Sequence, residues 1–353
     1  MSEVGERKNR TATPVWIVVA FLSAVGVSWD VLGRPGLPEK YFFDSNKISA
    51  IVLGNLYVPE DKSFQAVGDV YRMIGLSDPA GLSRFIGMIA FSSVVAFAVR
   101  GSSIQSLTIP KLFSLLITMT AGATYLGGYS KEFLQLPFIA LILLFLSHRA
   151  GLIFSSVVSV AYGLLFRQYW VLVSLVQLGF WLTYTRLDRK KIMSLLSVVA
   201  IVLVIFPQVA NYFGLHLFDV RQNINDLRER EAYSATAISY PFHGQGPVWD
   251  TLNFLIVFIW LSIPILGLGF LGPGYFLVGL AMTLMWVIFA SAISVNSSKG
   301  NLSTNALAVC MSLLLVQTFF EPDFGSFLRH VTVILPIALA AIFRTSENAD
   351  QSL

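Results

Sequence analysis

The sequence predicts an all-α fold: a polytopic transmembrane helical bundle of about 10–11 spans. Composition is the first reason. Hydrophobic residues make up 55% of the chain and charged residues only 12%, with mean hydropathy +0.71. A soluble domain carries about twice that charged fraction. The second reason is placement. Runs such as 16–27, 133–146, 192–205, 254–270 and 331–343 hold no Asp, Glu, Lys or Arg. The charge crowds instead into short stretches: 41–47, 129–132, 166–170, 219–231 and 321–330. So much apolar surface needs lipid as part of its solvent. Chemistry is then expected at the membrane–water boundary, where the ionisable groups are.

A spanning helix needs roughly 17–25 mostly apolar residues. Stretches of this kind fall at 14–31, 84–100, 107–126, 132–147, 150–166, 169–185, 192–213, 251–270, 274–294, 304–320 and 327–343. The fourth and fifth are short and read as tilted partial helices. Residues 1–353 form a single integral membrane domain without internal repeats. Arg7, Lys8 and Arg10 precede the first apolar stretch, and no small-residue cleavage site follows it. The first helix is expected to stay in place as an anchor.

Lys and Arg near helix ends set orientation. Arg7, Lys8 and Arg10 put the N-terminus in the cytoplasm. Counting alternately, Arg100, Lys111, Arg149 and the cluster Arg186–Lys191 also fall inside. That leaves two long outer loops, 32–83 and 214–250. With eleven spans, 321–330 would lie inside. If one segment after residue 192 does not cross, 321–330 moves outside and Arg344 inside. The Gly- and Pro-rich stretch 267–274 is the place to suspect.

Both outer loops carry helical periodicity, so interfacial amphipathic helices are expected in them. In the first, Ile48, Ile51, Val52 and Leu56 form one stripe, and Phe64, Val67, Tyr71 and Ile74 another. In the second, Val220, Ile224 and Leu227 lie beside Arg221, Asn225 and Arg228.

Several residues are suited to chemistry. The planar guanidinium donates paired hydrogen bonds to phosphate and stays charged. Arg221, Arg228 and Arg230 therefore suit a diphosphate clamp for a lipid-linked substrate, or else a solvated helix laced by Asp226, Glu229 and Glu231. Arg167 sits between two apolar segments, beside Tyr169 and Trp170, which suit an aromatic belt or stacking on a sugar ring. Asp44 opens an amphipathic helix as a possible N-cap, and is also a carboxylate placed to deprotonate an acceptor hydroxyl. Asp30 is its rival. Lys131 and Glu132 follow Gly127–Ser130, and Glu132 reads as a favourable helix start. Glu321, Asp323, Arg329 and His330 are costly beside an apolar hairpin unless they are used.

Some classes are excluded. The net charge of +4 is mild and dispersed, so nucleic acid is not expected as a partner. His148, His216, His243 and His330 show no metal-ligand spacing. No Walker loop or dinucleotide fingerprint is present, so neither metal nor cofactor is expected. Cys310 reads as a small core residue.

Taken together, the chain resembles bacterial polysaccharide polymerases of the Wzy type, and more loosely the membrane-embedded GT-C glycosyltransferases. The stretches carrying the resemblance are Tyr41–Ile48, Asp61–Val67, Val70–Gly75, Gly128–Glu132, Phe166–Trp170, Glu321–Gly325 and Leu328–His330. The resemblance implies an undecaprenyl-diphosphate-linked oligosaccharide as substrate, polymerised at the outer face of the bacterial cytoplasmic membrane. It implies flippase and chain-length regulator proteins as partners beside the lipid bilayer. Arg167 and the loop arginines would stabilise the departing diphosphate, and Asp44 would orient or deprotonate the acceptor. Rival readings are a GT-C transferase using a polyprenyl-phosphate sugar, a transporter of lipid-linked glycan, and a membrane subunit with no activity of its own.

Overall fold

In this computed structural model, residues 13–32, 42–58, 62–77, 82–186, 191–214, 236–242, 246–296 and 301–343 are described. The described residues are almost wholly helical, with two isolated bridges, Pro14 to Ser103 and Ala237 to Asp323.

Helix α1 (Trp16–Val31) is followed by a short helical pair, α2 (Phe43–Val52) and α3 (Lys62–Met73). Helices α4 (Leu82–Ala98) and α5 (Ile109–Leu126) come next. A 3-10 turn over Lys131–Gln135 leads into α6 (Leu136–Phe145), then α7 (Gly151–Leu165) and α8 (Tyr169–Arg186). Helix α9 (Lys191–Ala200) passes through a π-helical turn, Ile201–Ile205, into α10 (Phe206–Tyr212). The remainder comprises α11 (Pro247–Ser262), α12 (Pro264–Leu268), α13 (Pro273–Asn296), α14 (Asn301–Phe320), α15 (Phe324–Thr332) and α16 (Leu335–Phe343).

Helices therefore stand at each apolar stretch read from the sequence. Three are long and apolar enough to cross a bilayer by themselves: α5, α13 and α14. The α15–α16 pair makes a fourth if it counts as one bent span.

Proline explains most of the breaks. Pro207 cannot donate to the helix ladder, and its ring crowds the carbonyl four residues earlier, inside the π-helical turn. Pro264 separates α11 from α12. The next amide, Ile265 N–H, instead finds Thr283 Oγ1 of α13 at 3.1 Å. Pro336 crowds the Thr332 carbonyl in the same way, and α15 meets α16 at 52°.

The α2–α3 pair has its own small core. Ile48, Ile51 and Val52 of α2 face Phe64, Val67 and Tyr71 of α3, with Val58, Leu76, Tyr129 and Leu134 closing the cluster. Gly68 lets the helices touch, since a Cβ there would stand 2.4 Å from Ile51 Cγ2. Gly54, at φ 78, ends α2 in the left-handed conformation that glycine adopts without steric cost. Leu56 and Ile74 complete the stripes seen in the sequence, yet both are exposed. These helices bury their apolar faces mainly on each other and on residues 129–134.

The bundle has two distinct ends. At one, Val15 N–H donates to Ser102 O at 2.9 Å, and Asn305 Nδ2 donates to Leu146 O and His148 O. Lys111 lies over the Phe343 ring at this end. At the other end, α2 and α3 meet residues 129–134, and Phe324 N–H donates to Thr236 O at 3.0 Å. Both termini of the described chain, and the 100–106 and 146–150 turns, thus share one end. Residues 321–330 lie at the opposite end, with 42–58, 62–77 and 166–170.

Segment α11–α12 accounts for that placement. Asn253, near the start of α11, holds Phe242 by both backbone groups, at 3.0 and 2.9 Å. Gly267 of α12 lies against the Phe324 ring. The segment leaves and returns to the same end, so α13 runs from that end to the other and α14 returns.

Candidate ionic centre

The centre is assembled from turns. Ser130 N-caps the 3-10 turn, its hydroxyl accepting from Glu132 N–H at 3.1 Å. The same hydroxyl donates to Glu132 Oε2 at 2.7 Å. Tyr71, buried in α3, fixes Ser130: its hydroxyl donates to Ser130 O at 3.0 Å and accepts from Ser130 N–H at 3.2 Å. Glu132 is held from behind in this way, with Oε1 left for other partners.

Those partners come from far along the chain. Arg167, between α7 and α8, places Nη2 2.7 Å from Glu132 Oε1. Arg329 Nε and His330 Nε2, both from α15, each lie 3.4 Å from the same oxygen. Arg167 Nη1 donates to Tyr169 Oη at 3.3 Å and also to His330 Nε2. Since a guanidinium only donates, His330 Nε2 carries the lone pair. Its Nδ1–H then donates to Glu321 Oε2 at 2.7 Å. Arg329 Nη1 pairs with Asp44 of α2, and its Nη2 reaches Ser326 Oγ at 3.3 Å. One network thus joins Asp44, Glu132, Arg167, Glu321, Arg329 and His330.

Burial grades across it. Glu132 and Glu321 side chains are 2% and 3% exposed, whereas Asp44 and Arg329 are 24% and 21%. The Asp44–Arg329 pair forms the open edge. Burial works against the Glu132 charge, but the Arg329 and Arg167 guanidinium groups more than offset it and hold the carboxyl well below its usual range. Burial likewise opposes the charge on Glu321, and His330 more than offsets it, so its affinity for a proton is lowered. Burial also opposes the Arg167 cation, yet Tyr169 and Glu132 keep it firmly protonated.

An ion-pair network of this depth is poor value for stability alone. Apolar residues of similar volume do as well or better. What it offers is chemistry: guanidinium groups suited to phosphate, a carboxylate-oriented imidazole whose Nε2 lone pair faces Arg167, and a carboxylate at the rim.

The structure unites Asp44, Arg167, Tyr169, Glu321, Arg329 and His330 from the sequence-derived set. Asp44 is not the N-cap of α2; Phe42 is, and Asp44 stands in the first turn. Asp323 is the N-cap of α15, accepting from Ser326 N–H at 2.7 Å. Lys131 points away from Glu132, with Nζ over the Phe64 ring and 3.2 Å from Ser63 Oγ. Trp170 is buried edge-on against Tyr162 and offers no open face for stacking. Asp30 is buried against Gly127, where a Cβ would fall 1.8 Å from its carboxylate. Arg221, Arg228 and Arg230 lie outside the described residues.

Sequence reasoning passed over Glu132 as the hub, and Tyr71 and Ser130 as its supports. The available signal was a carboxylate flanked by Gly127–Gly128 and an apolar run, a costly setting for a mere helix start.

Away from the network, a shallow cleft of ≈ 190 Å³ lies among Ala237, Trp260, Leu266, Gly267, Phe270 and Phe324. It is apolar and contains none of the ionic groups. Compared with protein-family models, curated proteins and solved structures, the chain finds no match.

Proposed function

We propose that this chain is a polytopic enzyme of a bacterial cytoplasmic membrane, with about ten crossings and a cytoplasmic N-terminus. In this reading it transfers glycosyl groups between lipid-linked oligosaccharides at the outer face. The observation that carries the proposal is the convergence of Asp44, Glu132, Arg167, Glu321, Arg329 and His330, from four separate segments, at one end of an apolar bundle. That end is the outer one if the positive-inside rule sets orientation, because the 100–106 and 146–150 turns lie opposite.

The chemistry follows from the groups. The guanidinium groups of Arg167 and Arg329 bind the diphosphate of a polyprenyl-linked glycan. An acceptor hydroxyl of a second lipid-linked unit attacks the anomeric carbon of the first. The bond between that carbon and the diphosphate oxygen breaks, and polyprenyl diphosphate leaves with the electron pair. The arginines stabilise the charge gathering on it. The hydroxyl proton passes to a carboxylate or to His330, which Glu321 orients through Nδ1.

Purified protein in lipid, supplied with a lipid-linked oligosaccharide and no nucleotide sugar, is expected to lengthen the glycan in whole repeat units. Lengthening by single sugars from a polyprenyl phosphate would favour the GT-C reading. Movement of unaltered substrate across the bilayer would favour a transporter.

A further inference from the structure

Arg329 is the one guanidinium of the centre whose carboxylate partner sits at the open edge. Its Nη2 is occupied by Ser326 and its Nε faces the buried Glu132. Its Nη1 holds Asp44, which comes from a different element, α2, and is 24% exposed. A carboxylate and a phosphate present similar oxygens to a guanidinium, and a diphosphate brings more charge. Asp44 does not depend on Arg329 alone for its charge. It stands in the first turn of α2, where the helix dipole favours an anion.

We infer that Asp44 occupies on Arg329 the place that a substrate phosphate takes, and that this exchange frees Asp44 to accept the acceptor's proton. The inference rests on the proposed lipid-diphosphate reading. Before substrate binds, Arg329 engages the Asp44 lone pairs. When phosphate oxygens take over Nη1, the Asp44 carboxylate turns free beside the departing diphosphate. The acceptor O–H bond then breaks towards Asp44 as the new glycosidic C–O bond forms. The base is thus exposed only when the donor is in place, which protects the lipid-linked donor from hydrolysis.

The test is binding, with transfer as a second readout. Wild-type, Asp44→Asn and Asp44→Ser proteins in nanodiscs are titrated with farnesyl diphosphate, inorganic pyrophosphate and farnesol. Asp69→Asn serves as control, because it removes the same charge from the neighbouring helix without touching Arg329. Both Asp44 variants are expected to bind farnesyl diphosphate about three- to fivefold more tightly than wild type, the size of a partly exposed ion pair. Both are expected to lose glycosyl transfer, Arg329→Gln to lose the gain, and farnesol to show none.

A parallel gain for pyrophosphate supports the exchange with phosphate itself as the ligand. A gain for farnesyl diphosphate alone supports it with the lipid headgroup as the source. Unchanged or weaker binding by both Asp44 variants, with wild-type binding intact, overturns the exchange but leaves the phosphate site standing. An equal gain in Asp69→Asn also overturns it, as a general charge effect. If neither diphosphate binds wild type or any variant, the exchange and the proposed function fall together.

Discussion

Glu132 gathers Arg167, Arg329 and His330 around one oxygen while Ser130 holds the other. Glu132→Gln removes a buried charge and leaves two guanidinium groups short of compensation. It is expected to lower stability by about 3–5 kcal/mol, read by thermal unfolding in detergent. Because the Glu132 carboxyl is held below its ordinary value of 4.5, its stabilisation is fully present above that pH. It is lost as pH falls through the depressed folded value, so wild type should weaken on acidification and Glu132→Gln should weaken less. Asp323 provides the contrast. Asp323→Asn keeps an N-cap and is expected to retain activity, whereas Asp323→Ala costs about 1 kcal/mol. Loss of activity in Asp323→Asn with normal stability would return Asp323 to the chemistry. Residue types were legible in sequence for Asp44, Arg167, Glu321, Arg329 and His330, because charge in apolar surroundings is expensive wherever it lies. The role of Glu132 was not, since it depends on partners 35 to 198 residues away in the chain.

At the scale of elements, apolar runs marked where helices form, because burial in lipid or protein requires closed backbone hydrogen bonding. Their breaks were less legible. The stretch 132–147 read as one span, yet it divides into a 3-10 turn and α6, and this keeps Glu132 in the turn at the rim. The stretch 327–343 begins earlier, at Phe324, and bends before Pro336. The two starts come from local capping, by Ser130 and Asp323, and the bend from Pro336, none of which averaged hydropathy registers. Close helix crossings depend on glycine at particular places. A Cβ on Gly87 of α4 would stand 2.0 Å from the Leu126 carbonyl at the end of α5. Backbone cannot swing aside as a side chain does. Gly87→Ala is expected to cost about 1–3 kcal/mol, and to disturb the neighbouring 127–132 turn, which a fall in both melting temperature and transfer rate would reveal.

For the molecule as a whole, charge counting left the side of 321–330 undecided between two schemes. The proposed scheme rests on α11–α12, whose Asn253 holds Phe242 and whose Gly267 lies against Phe324, both at one end of the bundle. Sequence alone could not show this, since α11 is as apolar as helices that cross. Single cysteines at Tyr57, Leu271 and Arg149 test the scheme, with the native Cys310 buried and quiet. Tyr57→Cys and Leu271→Cys are expected to label from the outside, and Arg149→Cys only from within. Labelling of Leu271→Cys from the cytoplasm would restore eleven crossings and separate Glu321–His330 from Asp44.

The proposed function requires the ionic centre to be the place of glycosyl transfer. The most direct test is glycan length in cells whose only copy is Arg167→Lys, with the protein quantified in the membrane. Lysine keeps the charge beside Glu132 but loses the planar fork that reaches Glu132, Tyr169 and His330 together. Single repeat units are expected to accumulate on the lipid carrier, with protein at normal abundance. Full-length polysaccharide in that strain, and also in Arg167→Ala, would contradict the proposed function.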